Sequence, residues 1–315
     1  MTALEIFAEE SARRFLQSVV FVDDEIYVSG SGKPVEVSIP LGPPPSPFTS
    51  VGTRDEGRSG AAAEHAEPVL EATSGAYHPR ELVESFAEIG MACALYEPEE
   101  GFQTDKNSKL FKLCDRADIV ILDWDLYGQD GGNILPLVCS LASSGQSSVP
   151  HHVRLCVLYT TKPDLTRVAS QVIDALVKLG DLPVSVADIF TITAGATRIA
   201  VFGKPDVSGR TEASKVREVP ERDLANCVVR EFARMNSGLL PSYALNAMAS
   251  IRRNTKRIID KFDSTMDASF MVNRALLIED GETFDQLPEL LAEELLSVIQ
   301  DTAVPQVTIE GLVSD

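Results

Sequence analysis

Residues 118–132 read DIVILDWDLYGQDGG: an apolar, partly β-branched run over 119–122 stops on Asp123, and a polar turn follows that closes on Asp130, Gly131 and Gly132. A short run of this kind favours a buried strand, and the glycines that follow favour a tight loop. The pattern of an apolar run ending on a chemically useful side chain recurs on both sides of it. Residues 18–25 read SVVFVDDE and end on Asp23 and Asp24; residues 155–160 read LCVLYT and end on Thr160; residues 199–205 read IAVFGKP and end on Lys204 and Pro205. Between the runs lie segments with helical spacing at 79–89, 107–114, 133–142 and 165–179, the last with apolar residues at Leu165, Val168, Val172, Ile173, Leu176 and Leu179. Two further strand-like runs fall at 91–96 and 189–193. Strands alternating with helices predict an α/β fold, a doubly wound parallel sheet covered on both faces.

In such a sheet the ligand-binding edge lies beyond the carboxyl ends of the strands, so Asp23, Asp24, Asp123, Thr160 and Lys204 are expected to converge there. Two carboxylates about 4 Å apart repel by roughly 4 kcal/mol at an effective dielectric near 20, and three together call for a cation. A hard divalent ion with oxygen ligands suits them, Mg²⁺ above all, because it accepts a few carboxylates and keeps other positions for water or phosphate oxygens. A hydroxyl from Thr160 and a fixed positive charge from Lys204 complete what phosphoryl transfer to a carboxylate requires.

The segment DIVILDWDLYGQDGG resembles the phospho-acceptor region of chemotaxis-type response regulator receivers, the receiver domains of two-component systems. The resemblance spans roughly residues 15 to 235. It implies Asp123 as phospho-acceptor, with Thr160 and Lys204 assisting. It also implies Mg²⁺ held by Asp23, Asp24, Asp123 and the backbone carbonyl of Asp125, with Asp130 and Gly131 as the turn seven residues after the acceptor. The implied fold is the flavodoxin-like receiver, a five-stranded sheet in the order 2-1-3-4-5. Where the family carries an aromatic switch residue, three positions before the lysine, this sequence has Val201; Phe202 and Tyr159 are the nearby aromatics that can replace it. The implied partner is a histidine kinase or phosphotransfer protein, and the implied role is a phosphorelay signalling domain, not an enzyme.

Residues 28–77 interrupt this pattern with PLGPPPSPF at 40–48 and GRSGAAAEHAEP at 57–68. That composition buries too little side chain to offset its ordering entropy, which predicts a disordered insertion inside a receiver-like domain spanning 1–235. The remainder, 236–315, reads as a helical C-terminal extension without a DNA-binding signature. A net charge of −19 opposes unspecific attraction to nucleic acid or anionic lipid. No apolar run reaches the roughly 18 residues of a membrane span. Five scattered cysteines suit buried thiols in a reducing compartment, so a soluble cytoplasmic protein is expected. Arg252, Arg253, Lys256 and Arg257 share a helical face and are read as solvated or as facing an acidic neighbouring helix, and His151 with His152 as an exposed loop.

Two other functions remain open. LDWDL at 122–126 also matches the paired aspartates of haloacid dehalogenase-like phosphatases, with Glu279 and Asp280 as a later acid pair. A pseudo-receiver scaffold, which keeps the fold without being phosphorylated, is the third reading.

Overall fold

A computed structural model of the chain describes residues 2–26, 79–147, 152–276 and 282–301. The expected insertion at 28–77, His151, and the acid pair Glu279 and Asp280 lie outside the described residues. The sheet has seven strands, β1 (Ser18–Val22), β2 (Ala92–Tyr96), β3 (Ile119–Asp123), β4 (Arg154–Thr160), β5 (Val184–Asp188), β6 (Thr191–Ala194) and β7 (Thr197–Gly203), in the order β2-β1-β3-β4-β7-β6-β5. The run β2-β1-β3-β4-β7 is parallel throughout. β5 and β6 continue the sheet as an antiparallel hairpin.

Helices flank both faces. One face carries α3 (Lys109–Arg116), α4 (Ile134–Ser147) and α5 (Leu165–Leu179); the other carries α1 (Ala3–Phe15), α2 (Pro79–Glu88) and α7 (Glu221–Met235). Alternation along each strand divides the core. Val20, Val22, Val120, Leu122, Cys156, Leu158, Ile199 and Val201 face the first layer, while Val19, Phe21, Ile119, Ile121, Val157, Tyr159, Ala200 and Phe202 face the second. β3 and β4 are buried along their whole length, as expected of central strands covered on both sides. Their ends therefore have fixed positions, and the side chains placed there inherit that rigidity.

The expected count of five strands is corrected to seven. The parallel order matches 2-1-3-4-5 once β7 is taken as the fifth parallel strand. The additional pair arises because the chain leaves α5 into β5, turns at 189–190, and pairs back through β6 before entering β7. β5 is an edge strand whose residues are half-buried or exposed, so it lacks the continuous apolar run that marked the central strands. The strand expected over 189–193 starts at Thr191, because the Asp188 carboxylate accepts from the Phe190 N–H at 2.8 Å and holds a turn there.

Beyond α7 the chain forms α8 (Leu239–Lys261), α9 (Ser264–Leu276) and α10 (Glu282–Gln300), with the short α6 (Glu212–Lys215) lying before α7. α8 packs along α1. Of the four cationic residues expected to share one helical face, Arg252 points inward. It donates to both oxygens of Asp118 at 2.9 and 3.0 Å and to the Phe15 carbonyl at 3.0 Å, and its guanidinium stacks over the Phe15 ring. Arg253, Lys256 and Arg257 are exposed. Arg257 lines a cleft with Glu294 and Asp301, on the side of the acidic neighbour α10, and one turn later Lys261 pairs with Glu294.

Candidate functional site

β1 and β3 lie side by side and in parallel, so Asp23, just past the end of β1, and Asp123, the last residue of β3, emerge at the same edge. Asp23 is fully buried. Its Oδ1 accepts from the Glu25 N–H and its Oδ2 from Lys204 Nζ, both at 2.8 Å. Asp24 is half-buried and accepts from the Tyr127 N–H at 2.8 Å. Asp123 is buried too. Its Oδ1 lies 3.7 Å from Lys204 Nζ, close enough for attraction but too far for a hydrogen bond, and has no hydrogen-bond partner among the described residues. One carboxylate oxygen from each of Asp23, Asp24 and Asp123 falls within 4.8 Å of the others.

Burial pushes the Asp123 carboxyl up to about 7; Lys204 opposes the shift, and Asp23, Asp24 and Asp125 add to it. For Lys204, burial works against the charge, but Asp123 and Asp23 outweigh it and the ammonium is held more firmly than in water. One buried cation therefore serves two buried carboxylates, with Asp24 at the rim. This edge has room for further positive charge.

Thr160 ends β4 and is fully buried. Its hydroxyl accepts from the Lys162 N–H at 3.1 Å, leaving its hydrogen to donate elsewhere, and its carbonyl accepts from the Lys204 N–H at 2.8 Å. The loop after Asp123 is tightly built. The Trp124 indole N–H donates to Asp130 at 3.1 Å, and the Gly131 N–H returns to the Trp124 carbonyl at 3.0 Å. Gly131 has φ +86, and a Cβ there would sit 2.2 Å from the indole, so only glycine fits. Tyr127 also adopts a left-handed conformation, at φ +56, and its hydroxyl donates to the Pro98 carbonyl.

Four of the sequence-derived residues, Asp23, Asp24, Asp123 and Lys204, thus meet in one cluster, with Thr160 on the neighbouring strand end. Asp125 differs. Its carboxylate accepts from the Asp130 N–H and pairs with Lys162 Nζ at 2.7 Å, and the carbonyl expected to bind metal accepts from the Gly128 N–H at 2.8 Å, keeping one lone pair. The aromatics offered in place of Val201 lie on the wrong face. Tyr159 and Phe202 belong to the layer under α2 and α7, the Tyr159 hydroxyl is committed to the Val219 carbonyl at 2.7 Å, and Phe202 lies beneath the Arg217 guanidinium. Neighbouring positions on a strand face opposite ways, so Val201 and Phe202 cannot exchange roles.

His152 lies before the start of β4, at the end opposite Thr160. Its Nδ1 is 3.1 Å from Arg154 Nη2, and burial, aided by Arg154, lowers its pKa. Two residues at this edge escaped the sequence reading. Lys162 was visible in principle, two positions after Thr160, whereas Arg210 carries no motif and reaches the site only through the fold.

A doubly wound sheet with an aspartate cluster, a hydroxyl and a lysine gathered at its carboxyl edge narrows the class of α/β domain. Within that class the assignment is specific. The model of the response receiver domain family matches residues 15–209, more than half of the chain, and the chain belongs to that family. No curated protein and no solved structure matches it.

Proposed function

We propose that the protein accepts a phosphoryl group on Asp123 from a histidine kinase or phosphotransfer partner, with Mg²⁺ bound at the acidic edge, and acts as a signalling element without catalytic turnover. The observation that carries this reading is the Asp123 carboxylate, buried with an uncommitted oxygen between a lysine and two further acids. A scaffold gains nothing from that concentration of like charge. In the transfer, an Asp123 oxygen forms the new bond to phosphorus while the P–N bond of the donor phosphohistidine breaks, and the departing imidazole takes a proton from solvent. Lys204 offsets charge on the phosphoryl oxygens, and the Thr160 hydroxyl donates to one of them.

The donor set suits a small hard cation. An octahedral ion at Mg²⁺–oxygen distances spans about 4 Å between opposite ligands, and the three carboxylate oxygens are within an ångström of that envelope. Asp23, Asp24 and Asp123 would hold the ion, with the second lone pair of the Asp125 carbonyl as a further donor. Bound there, the ion would neutralise phosphoryl oxygens that Lys204 alone leaves unbalanced. In this reading residues 1–235 form the receiver unit and 236–315 an extension braced on it through Arg252.

The test is stoichiometric. With Mg²⁺ and a small acyl phosphate the protein should gain a single phosphoryl group by intact mass. Release of phosphate from simple esters over many turnovers would make it a phosphatase, and absence of both would make it a scaffold.

A further inference from the structure

Arg210 lies one residue past the family match, yet its guanidinium stands among the strand ends that carry the site. The side chain is completely buried. Nη2 donates to two carbonyls at once, that of Thr160 at 3.0 Å and that of Lys204 at 2.9 Å. Nε is 2.8 Å from Glu218 Oε1, an ion pair although not aligned as a hydrogen bond, and Nη1 is buried with no hydrogen-bond partner among the described residues.

Gly203 makes room for this group. A Cβ at Gly203 would come within 1.8 Å of Nη1, and the glycine backbone is otherwise unexceptional, so what excludes a side chain there is the guanidinium. Gly203 is in register with Thr160. Registered residues of adjacent parallel strands project to the same face, so the guanidinium lies on the face from which the Thr160 side chain projects. Val201, two residues earlier on that face, is aliphatic, and the aromatic beside it is Phe190, whose carbonyl accepts from the Val201 N–H at 2.9 Å.

Burying a guanidinium is costly, and apolar replacement of buried ionic groups is often neutral or stabilising, so stability alone is a weak reason for the arrangement. Its geometry supplies a better one. We propose that Arg210 is a positioning residue for phosphoryl transfer: by gathering the Thr160 and Lys204 carbonyls on one nitrogen, it fixes the spacing between the hydroxyl and the ammonium that must reach the same phosphoryl group. This inference rests on the reading of Asp123 as acceptor. Glu218 anchors the far side of the guanidinium, and its segment is itself tied to the end of β7, where the Gly203 N–H donates to the Arg217 carbonyl and the Val219 N–H to the Gly203 carbonyl, both at 3.0 Å. The clamp thus joins three segments, of which two carry site residues.

The experiment compares full-length wild type, Arg210→Ala, Gly203→Ala and the double variant. Phosphorylation by an acyl phosphate is followed at saturating Mg²⁺, well below the melting temperature of each protein. Mg²⁺ affinity is read from the fluorescence of Trp124, the chain's single tryptophan. Each single variant should be phosphorylated at least about tenfold more slowly, as expected for loss of a charge-assisted hydrogen-bond pair, with Mg²⁺ affinity within about twofold of wild type. The double variant should be no slower than Arg210→Ala, because the added Cβ then has nothing to displace. Should Arg210→Ala fail to fold, Gly203→Ala keeps the charge and displaces the group. Wild-type rates in the variants, or loss of rate only in step with loss of Mg²⁺ affinity, would overturn the inference while leaving Asp123 as acceptor. A wild-type protein that takes no phosphoryl group would remove both.

Discussion

Replacing Asp123 by Asn should stabilise the metal-free protein, and by more at pH 8 than at pH 5. The folded-state pKa of Asp123 is pushed from 3.8 to about 7 by burial first and by the neighbouring acids, with Lys204 opposing. The folded protein therefore keeps a proton that the unfolded chain releases, and the stability contributed by the neutral carboxyl, complete below pH 3.8, is lost as the pH rises through about 7. At pH 5 roughly one unit of this penalty is expressed and at pH 8 roughly three, a difference of about 2–3 kcal/mol at 1.36 kcal/mol per unit. Asn keeps the shape of the side chain and carries no charge, so the variant avoids the pH-dependent part. Urea unfolding of both proteins in chelator at the two pH values measures it, since titrating groups away from the cluster cancel between them and the change in the cluster's own acids is part of the same effect. An equal gain at both pH values, or a loss at pH 8, would refute the reasoning and assign the Asp123 carboxylate a structural role.

Lys204→Ala leaves Asp23 buried without its 2.8 Å partner and should cost about 3 kcal/mol in chelator; Mg²⁺ should recover more stability in the variant than in wild type, as thermal melting at matched ionic strength would show. Gly131→Ala forces a Cβ to 2.2 Å from the Trp124 ring at a left-handed backbone, and should lose more than about 1 kcal/mol with a shifted Trp124 emission maximum. Arg252→Ala removes the two-oxygen contact to Asp118 and should cost about 2 kcal/mol, with amide exchange quickening in α8 before it does in β3 or β4.

The parallel core and the acidic cluster were legible because both rest on local signals. Buried strands such as 119–122 and 155–159 announce themselves as apolar runs, and a side chain placed directly after such a run has little freedom of position. Thr160 and Lys204 could be placed on the same grounds. The hairpin of β5 and β6 was only partly visible, since an exposed edge strand lacks the burial that creates a pattern. Register decided the rest. That Val201 and Phe202 look to opposite faces follows from period two, but which face meets Thr160 depends on how β7 pairs with β4. Arg210 was illegible for a related reason: it lies in a connection with no periodicity, six residues past Lys204, and matters through two backbone carbonyls that leave no trace in residue identity. Arg252 showed the converse, a residue assigned with its neighbours to a face that is solvated or meets an acidic helix, which instead turns in to meet Asp118.

The most direct test of the central claim is to phosphorylate the protein with Mg²⁺ and an acyl phosphate, or with a cognate kinase, and then to locate the group. The account predicts one phosphoryl group that survives acid, is released by alkali as an acyl phosphate must be, and is absent from Asp123→Asn. A modification that persists unchanged in Asp123→Asn would contradict it, leaving the receiver fold in place and its acceptor misassigned.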